Sequence, residues 1–165
     1  MPPAQPDGDL APEDGLLPDE AWAEFGSRPF GLYVHVPFCS VRCGYCDFNT
    51  YTAHDLVAIV ASAAAEFGLV DDVEITTEAN PDSVAAWDLE ELRTAGFNRI
   101  SFGMQSAVDH VLRTLDRTHD PMRVPAVVDW ARQAGFDDVS LDLIYGTPGE
   151  STADWETSVD SPGVP

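Results

Sequence analysis

The sequence has no lysine, only eight arginines and only three cysteines among its 165 residues. Against 29 acidic residues, this gives a formal net charge of −21 at pH 7. So acidic a surface repels phosphate groups, which disfavours nucleic acid and anionic membrane surfaces as partners. Long apolar runs are also missing: the longest, 56–65, has ten residues. A membrane-spanning helix needs about 20, so we expect no integral membrane segment.

The chain does not begin with a charged and then apolar leader, and its few cysteines form no disulfide framework. We therefore expect a cytoplasmic protein, in a reducing compartment that suits thiolate ligands. Residues 1–29 hold six of the thirteen prolines and seven acids. This composition predicts a disordered lead-in over 1–29, a folded core over 30–160 and a short tail over 161–165.

All three cysteines lie within eight residues, as Cys39, Cys43 and Cys46 in the pattern C-x-x-x-C-x-x-C. Three thiolates at this spacing can hold one corner of a [4Fe–4S] cluster, whose fourth iron then stays open for chemistry. A disulfide would leave one thiol over. A closed zinc site would need a fourth ligand from one of three nearby side chains, namely His35, Asp47 or His54. A second C-x-x-C pair, usual in such zinc sites, is missing, so the spacing favours the cluster.

Downstream, strand-like apolar runs alternate with helical patterns, which predicts an α/β fold with a parallel sheet. The predicted strands cover 32–37, 73–78, 99–103 and 139–145. Helix start signals recur between them at Asp55, Asp88, Ser106, Asp120 and Ser151, and helix stop signals at Gly68, Gly96 and Gly135. The segments 95–102 (AGFNRISF) and 134–141 (AGFDDVSL) match at an offset of 39 residues, as expected for one repeated β–α unit.

Polar residues accompany the predicted strand ends. The cysteine loop follows the first strand, Glu78 ends the second, Gln105 follows the third and Asp142 lies in the last. In a parallel β/α barrel, the carboxyl ends of the strands and their following loops form the active face. We therefore expect these residues to converge at one edge of the sheet.

Several motifs together resemble one family. The run 33–49 (YVHVPFCSVRCGYCDFN) is followed by 77–81 (TEANP), 101–105 (SFGMQ), Arg117 and 142–148 (DLIYGTP). This set resembles the radical S-adenosylmethionine enzymes, in the branch that contains oxygen-independent coproporphyrinogen III oxidase and the HemW-like heme chaperones. The resemblance implies a parallel β/α barrel, a [4Fe–4S] cluster and S-adenosylmethionine. In that family the open iron binds S-adenosylmethionine, and the reduced cluster cleaves it to methionine and a 5′-deoxyadenosyl radical.

The resemblance also implies which residues contact S-adenosylmethionine: Tyr33, Tyr45, Glu78, Gln105, Arg117 and Asp142. A carboxylate can hold ribose hydroxyls or offset the sulfonium charge, and an arginine can bind the methionine carboxylate. Each residue also has an ordinary structural interpretation. Tyr33 could pack in a strand, Glu78 could end one and Gln105 could sit in a turn. Arg117 could be a solvated cation at a helix end, and Asp142 a buried acid paired with an arginine.

Two departures from the family indicate an incomplete barrel. A glycine-rich loop that contacts the methionine amino end in the family is absent, since 49–53 (NTYTA) runs directly into His54. At least one β–α unit of roughly 30 residues is missing there. The later strands of the barrel are absent too, so we expect a partial parallel β/α barrel with an exposed sheet edge.

Phe48 distinguishes the branches of the family. The oxidases tend to carry a cysteine two residues after the third cluster ligand, where this chain has Phe48. The leading interpretation is therefore a HemW-like heme chaperone, with heme, a heme-acceptor protein and an electron donor to the cluster as partners. Coproporphyrinogen III oxidation is the second interpretation, and a non-functional iron–sulfur-binding fragment is the third.

Overall fold

The computed structural model describes residues 53–161 continuously, together with 31–34 and the single positions 13, 14, 19, 23, 26 and 27. The chain divides into two compact units, Met1–His35 and Val36–Pro165. In the first unit, residues 31–34 are exposed and are in neither a helix nor a strand. The predicted strand over 32–37 is therefore wrong for 32–34, and its last three residues lie outside the described ranges. An alternating pattern permits a strand, but a strand forms only where a neighbouring strand completes its hydrogen bonds.

In the second unit helices and strands alternate. In chain order they are α1 (Ala53–Phe67), β1 (Thr76–Ala79), α2 (Ala86–Thr94), β2 (Arg99–Gln105), α3 (Asp109–Thr114), α4 (Val124–Ala134), β3 (Asp138–Leu143) and α5 (Thr152–Val159). Short 3-10 turns at Pro81–Ser83 and Pro121–Arg123 precede α2 and α4. The strands are parallel, in the order β1-β2-β3. Within the described residues the sheet is open and has three strands, which confirms the predicted α/β class and the predicted partial barrel.

Strand β1 begins three residues later than predicted because the side chain of Asn98 forms hydrogen bonds with the backbone groups that precede the strand. Asn98 Oδ1 accepts from Ile75 N at 2.8 Å, and Asn98 Nδ2 donates to the Val73 carbonyl at 2.9 Å. Since these groups bond to a side chain, the ladder with β2 starts only at the Thr76–Arg99 pair. Sequence periodicity does not reveal this competition, because Asn98 lies 23 and 25 residues away from its two partners.

The predicted repeat is present in the backbone. Gly96 (φ 105°) and Gly135 (φ 94°) each end a helix in the left-handed conformation that favours glycine. The residue after each glycine donates back into the helix at 3.1 Å, Phe97 to the Leu92 carbonyl and Phe136 to the Ala131 carbonyl. The strands that follow start in register, Arg99 opposite Asp138. The two junctions therefore place equivalent residues side by side.

The hydrophobic core lies on one face of the sheet. Ile100 and Phe102 of β2 are fully buried, and they belong to one cluster with side chains of α2, α4 and β3, including Leu89, Leu92, Val127, Ala131 and Val139. Helix α1 adds the partly buried Leu56, Val57 and Val60 to this cluster. Because side chains alternate along each strand, the opposite face is left to polar residues. Among the described residues, no helix is long and apolar enough to cross a membrane.

Candidate functional site

The opposite face of the sheet is polar. Glu78 of β1, Ser101 of β2 and Ser140 of β3 are register partners, so they lie in one row across the sheet. Asp142 stands two residues further along β3, on the same face. Glu78 and Asp142 belong to the two outer strands, and two strand spacings together with the two-residue offset along β3 place their Cα atoms about 12 Å apart. Both are exposed, so the face presents two carboxylates to solvent.

A short hydrogen-bond chain orients Asp142. Ser140 Oγ donates to Ser101 Oγ at 2.9 Å, and Ser101 Oγ donates to Asp142 Oδ1 at 2.8 Å. Ser101 is only 5% exposed, which shields these bonds from water. The two serines occupy equivalent positions in the 39-residue repeat and contact each other directly. The interpretation of Asp142 as a buried acid paired with an arginine is wrong, because its carboxylate is exposed and its bond comes from a serine.

The carboxyl end of β2 departs from regular strand geometry. Between Phe102 and Gln105 the chain advances three residues while β3 advances only two, from Leu141 to Leu143, which is a bulge. Ser106 N then donates to the Met104 carbonyl at 2.7 Å, closing a three-residue turn around Gln105. Gln105 has φ 63°, a conformation that costs energy for a residue with a side chain. Bulges and strained residues concentrate at functional sites, where they aim a side chain.

Gly103 lies beneath two of the predicted site residues. Arg117 Nη2 donates to the Gly103 carbonyl at 2.6 Å. A Cβ added at Gly103 would stand 2.7 Å from Arg117 Nη2 and 2.9 Å from Gln105 Nε2, closer than real Cβ contacts. Both side chains therefore lie against the backbone of β2, on the same face as Ser101. The interpretation of Arg117 as a solvated helix-end cation is wrong.

The end of α3 directs Arg117 back toward the sheet. Arg117 N donates to the Leu112 carbonyl at 2.9 Å, and Asp116 N donates to the Arg113 carbonyl at 3.2 Å. Asp116 occupies the left-handed position of this turn with φ 52°, where glycine is the usual residue. Within the described ranges, Gln105 and Asp116 are the only residues other than glycine with positive φ. Gln105 is itself a predicted site residue, and Asp116 directly precedes Arg117, so each positive φ sets the direction of a predicted site side chain.

Four predicted site residues thus come together at the carboxyl edge of the sheet, namely Glu78, Gln105, Arg117 and Asp142. Tyr33 belongs to the other unit and is 80% exposed. Tyr45 and the three cysteines, Cys39, Cys43 and Cys46, lie outside the described residues, as do His35 and Asp47. His54 is described: it lies on α1, where its Nδ1 is 3.4 Å from Glu91 Oε1. No group of three or more metal-binding side chains occurs among the described residues.

Sequence reasoning assigned no role to Ser101, Gly103, Ser140 or His119, although Ser101 and Gly103 lie in the family motif 101–105. Gly103 had a usable signal, because glycine inside a strand often marks a close approach to the backbone. The serines had one too, since they match in the 39-residue repeat. His119 had none: it is buried with 4% exposure, which only the packed structure reveals.

Comparison with known proteins gives a consistent result. The family model of the radical SAM superfamily matches residues 53–161. A curated protein of Mycobacterium tuberculosis, the heme chaperone HemW, is 40% identical over 185 residues, covering 84% of this chain and 47% of its own length. The oxygen-independent coproporphyrinogen III oxidase of Synechocystis is 30% identical over 174 residues, covering 78% and 37%. Among solved structures, coproporphyrinogen III oxidase (HemN) of Escherichia coli has a TM-score of 0.62 at 28% identity, covering 66% of this chain and 25% of its own.

The chain spans about half or less of the length of these relatives. The alignments are also longer than the part of this chain that they cover. For the Mycobacterium relative, 84% of 165 residues is about 139 residues against 185 aligned positions, so about 46 positions have no residue of this chain opposite them. For the Synechocystis relative, about 129 residues of this chain stand against 174 aligned positions, so about 45 positions have no residue of this chain opposite them. Both differences exceed the roughly 30 residues that were predicted as the minimum loss, one β–α unit.

Proposed function

This chain belongs to the radical SAM superfamily, and on that premise we propose that it carries a three-cysteine [4Fe–4S] cluster and a site for S-adenosylmethionine at the carboxyl edge of its sheet. The observation that carries the proposal is the placement of Arg117 and Gln105 over Gly103, beside Asp142 and Glu78. Cys39, Cys43 and Cys46 would hold the cluster, because they are the only thiolates in the chain. We place the protein in the cytoplasm.

The residues of this edge fit S-adenosylmethionine chemically. The molecule has a carboxylate, a positively charged sulfonium and ribose hydroxyls, and the edge offers a guanidinium, an amide and two carboxylates. Arg117 would bind the methionine carboxylate, and its bond to the Gly103 carbonyl fixes the guanidinium before the ligand arrives. Asp142, oriented by Ser101, and Glu78 would hold ribose hydroxyls or offset the sulfonium charge. A bound and reduced cluster would supply the electron for the cleavage of S-adenosylmethionine.

For the biological role, we propose a HemW-like heme chaperone, which binds heme and passes it to an acceptor protein. Two observations support this role: Phe48 replaces the cysteine expected of an oxidase, and the Mycobacterium relative at 40% identity is a heme chaperone HemW. The second candidate is oxidation of coproporphyrinogen III, which the likeness to the Synechocystis and Escherichia coli oxidases favours. The third is an iron–sulfur-binding fragment, which the missing positions favour.

Reconstitution tests the cluster and the role in two steps. Anaerobic treatment of this chain with iron and sulfide should give about four irons per chain, and a variant with all three cysteines changed to alanine should take up none. Stoichiometric zinc without iron would contradict the cluster. For the role, the chain is extended with the missing segments of the Mycobacterium relative and titrated with heme.

The chaperone role predicts a Soret band that saturates with added heme. It also predicts no decarboxylated product from coproporphyrinogen III in the presence of S-adenosylmethionine and a reductant. Turnover of coproporphyrinogen III without saturable heme binding would instead establish the oxidase. Iron binding with neither heme binding nor turnover would identify an iron–sulfur-binding fragment.

A further inference from the structure

His119 is a buried histidine two residues after Arg117, and the proposed function gives it no role. The residue is 4% exposed, and among the described residues neither ring nitrogen makes a well-formed hydrogen bond, although the Met104 carbonyl interacts with the ring. Burying polar nitrogens without partners is unfavourable, and an apolar side chain would avoid the cost. The presence of a histidine here therefore calls for a functional explanation.

The surroundings keep the ring uncharged at neutral pH. Burial lowers the pKa of His119 below its ordinary value of 6.5, and the nearby Arg117 guanidinium lowers it further. Asp82, Asp120 and the Met104 carbonyl favour the charged form, but they do not outweigh these two effects. A neutral imidazole can stay buried, whereas an imidazolium must regain water.

The residues 117–120 form a link, in neither helix nor strand, between α3 and the Pro121–Arg123 turn. Both of its ends are fixed, since Arg117 N bonds to the Leu112 carbonyl and Asp120 Oδ1 accepts from Met122 N at 2.9 Å. Between these ends Thr118 is exposed and His119 is buried. His119 is therefore the one fully buried side chain of the link, immediately next to the part that positions Arg117.

We propose that His119 is a positioning residue, whose uncharged ring anchors the 117–120 link and so holds the Arg117 guanidinium on the Gly103 carbonyl. The inference rests on the proposed S-adenosylmethionine site, because there Arg117 binds the methionine carboxylate. Protonation of the ring releases the anchor. The folded-state pKa lies below the unfolded value of 6.5, so the stabilisation by the buried ring is present above pH 6.5 and is lost as the pH falls through the lowered pKa.

Two substitutions test separately whether the link needs a buried side chain at position 119 and whether protonation of that side chain matters. His119→Leu keeps a buried side chain of similar volume that cannot be protonated, and it loses only the interaction of the ring with the Met104 carbonyl. His119→Ala removes the anchor. His54→Gln is the matched control, since it deletes a histidine whose side chain is 85% exposed on α1.

The first measurement is the dissociation constant of S-adenosylmethionine for the reconstituted chain at pH 7.5 and pH 5.5. We expect acidification to weaken binding in the natural chain and in His54→Gln by clearly more than about twofold, because the buried ring becomes protonated as the pH falls. His119→Leu should bind equally at both pH values to within about twofold, apart from any loss shared by all variants. His119→Ala should bind about tenfold more weakly even at pH 7.5.

The second measurement needs no ligand. The Arg117 Nε atom is buried, so its proton should exchange slowly with water in the nitrogen-15 spectrum of the natural chain, identified by its loss in Arg117→Lys. Exchange should accelerate about tenfold or more in His119→Ala and remain slow in His119→Leu. Unchanged exchange in His119→Ala overturns the anchor. So does a pH dependence of binding in His119→Leu equal to that of the natural chain. Complete failure of every variant to bind S-adenosylmethionine refutes the proposed cofactor site, and Arg117 exchange then decides the anchor alone.

Discussion

Gly103 shows how a single missing side chain shapes the candidate site. Its backbone is covered by Arg117 and Gln105, and its carbonyl accepts from the Arg117 guanidinium at 2.6 Å. A tight contact of this kind is lost when any side chain is added, because the two neighbouring polar groups must move away. The site therefore depends on the missing Cβ of Gly103 as much as on the four polar residues around it.

Gly103→Ala should weaken S-adenosylmethionine binding much more than it weakens folding. The new methyl group displaces Arg117 and Gln105, and loss of one charge-assisted hydrogen bond of about 1.5–3 kcal/mol lowers the affinity about tenfold to 150-fold. Calorimetry on the reconstituted variant measures this. Ala107→Gly is a control in the loop after β2. Natural affinity in Gly103→Ala would show that Arg117 and Gln105 do not contact the ligand.

At the scale of elements, the repeated junction governs how strands follow helices. Gly135 caps α4 with φ 94°, and the nearest atom to an added Cβ is Arg93 Nε at 3.8 Å. A side chain at this position would therefore meet no clash. It would lower the stability only because its backbone would have to adopt a positive φ. Gly135→Ala should lower the free energy of unfolding by about 1–2 kcal/mol. Urea denaturation measures the change, with the exposed Gln133→Ala on the same helix as a neutral control. A loss below about 0.3 kcal/mol would show that the helix ends without this glycine.

The same elements show what sequence can and cannot predict here. The β–α alternation, the glycine caps and the Ser151 capping box depend on neighbours within a few residues, and all of them appear in the structure. The start of β1 was wrong because Asn98 bonds to residues 23 and 25 positions away. The meeting of Glu78, Gln105 and Asp142 at one edge was predictable from parallel strand order, whereas Arg117 follows α3 and was assigned only by the family resemblance. The hydrogen bonds of Ser101 and the burial of His119 were not, since they depend on packed side chains.

At the scale of the whole molecule, the internal gap is the main departure from the relatives. The family places a glycine-rich loop against the methionine amino end of S-adenosylmethionine, and we expect this loop among the roughly 45 missing positions. Losing one or two charge-assisted hydrogen bonds of about 1.5–3 kcal/mol each lowers the affinity about tenfold to about 20,000-fold.

Inserting the segment of the Mycobacterium relative between Ala53 and His54 should recover that affinity. Anaerobic calorimetry with S-adenosylmethionine on the reconstituted proteins provides the measurement. A glycine–serine insert of equal length controls for the added chain, and it should recover nothing. Equal affinity with and without the natural segment would show that the loop contributes no binding energy.

The register of the two repeated junctions bears on how such a chain tolerates the loss or gain of whole β–α units. Each unit brings its own helix, glycine cap and strand, and the serine of one unit bonds to the serine of the next. The fold is thus modular. Because β1, β2 and β3 pair directly with one another, we expect deletion or duplication of a unit upstream of β1 to leave the spacing between Ser101, Asp142 and Arg117 unchanged. Evolution can then lengthen or shorten the barrel by whole modules while each surviving part of the edge keeps its geometry.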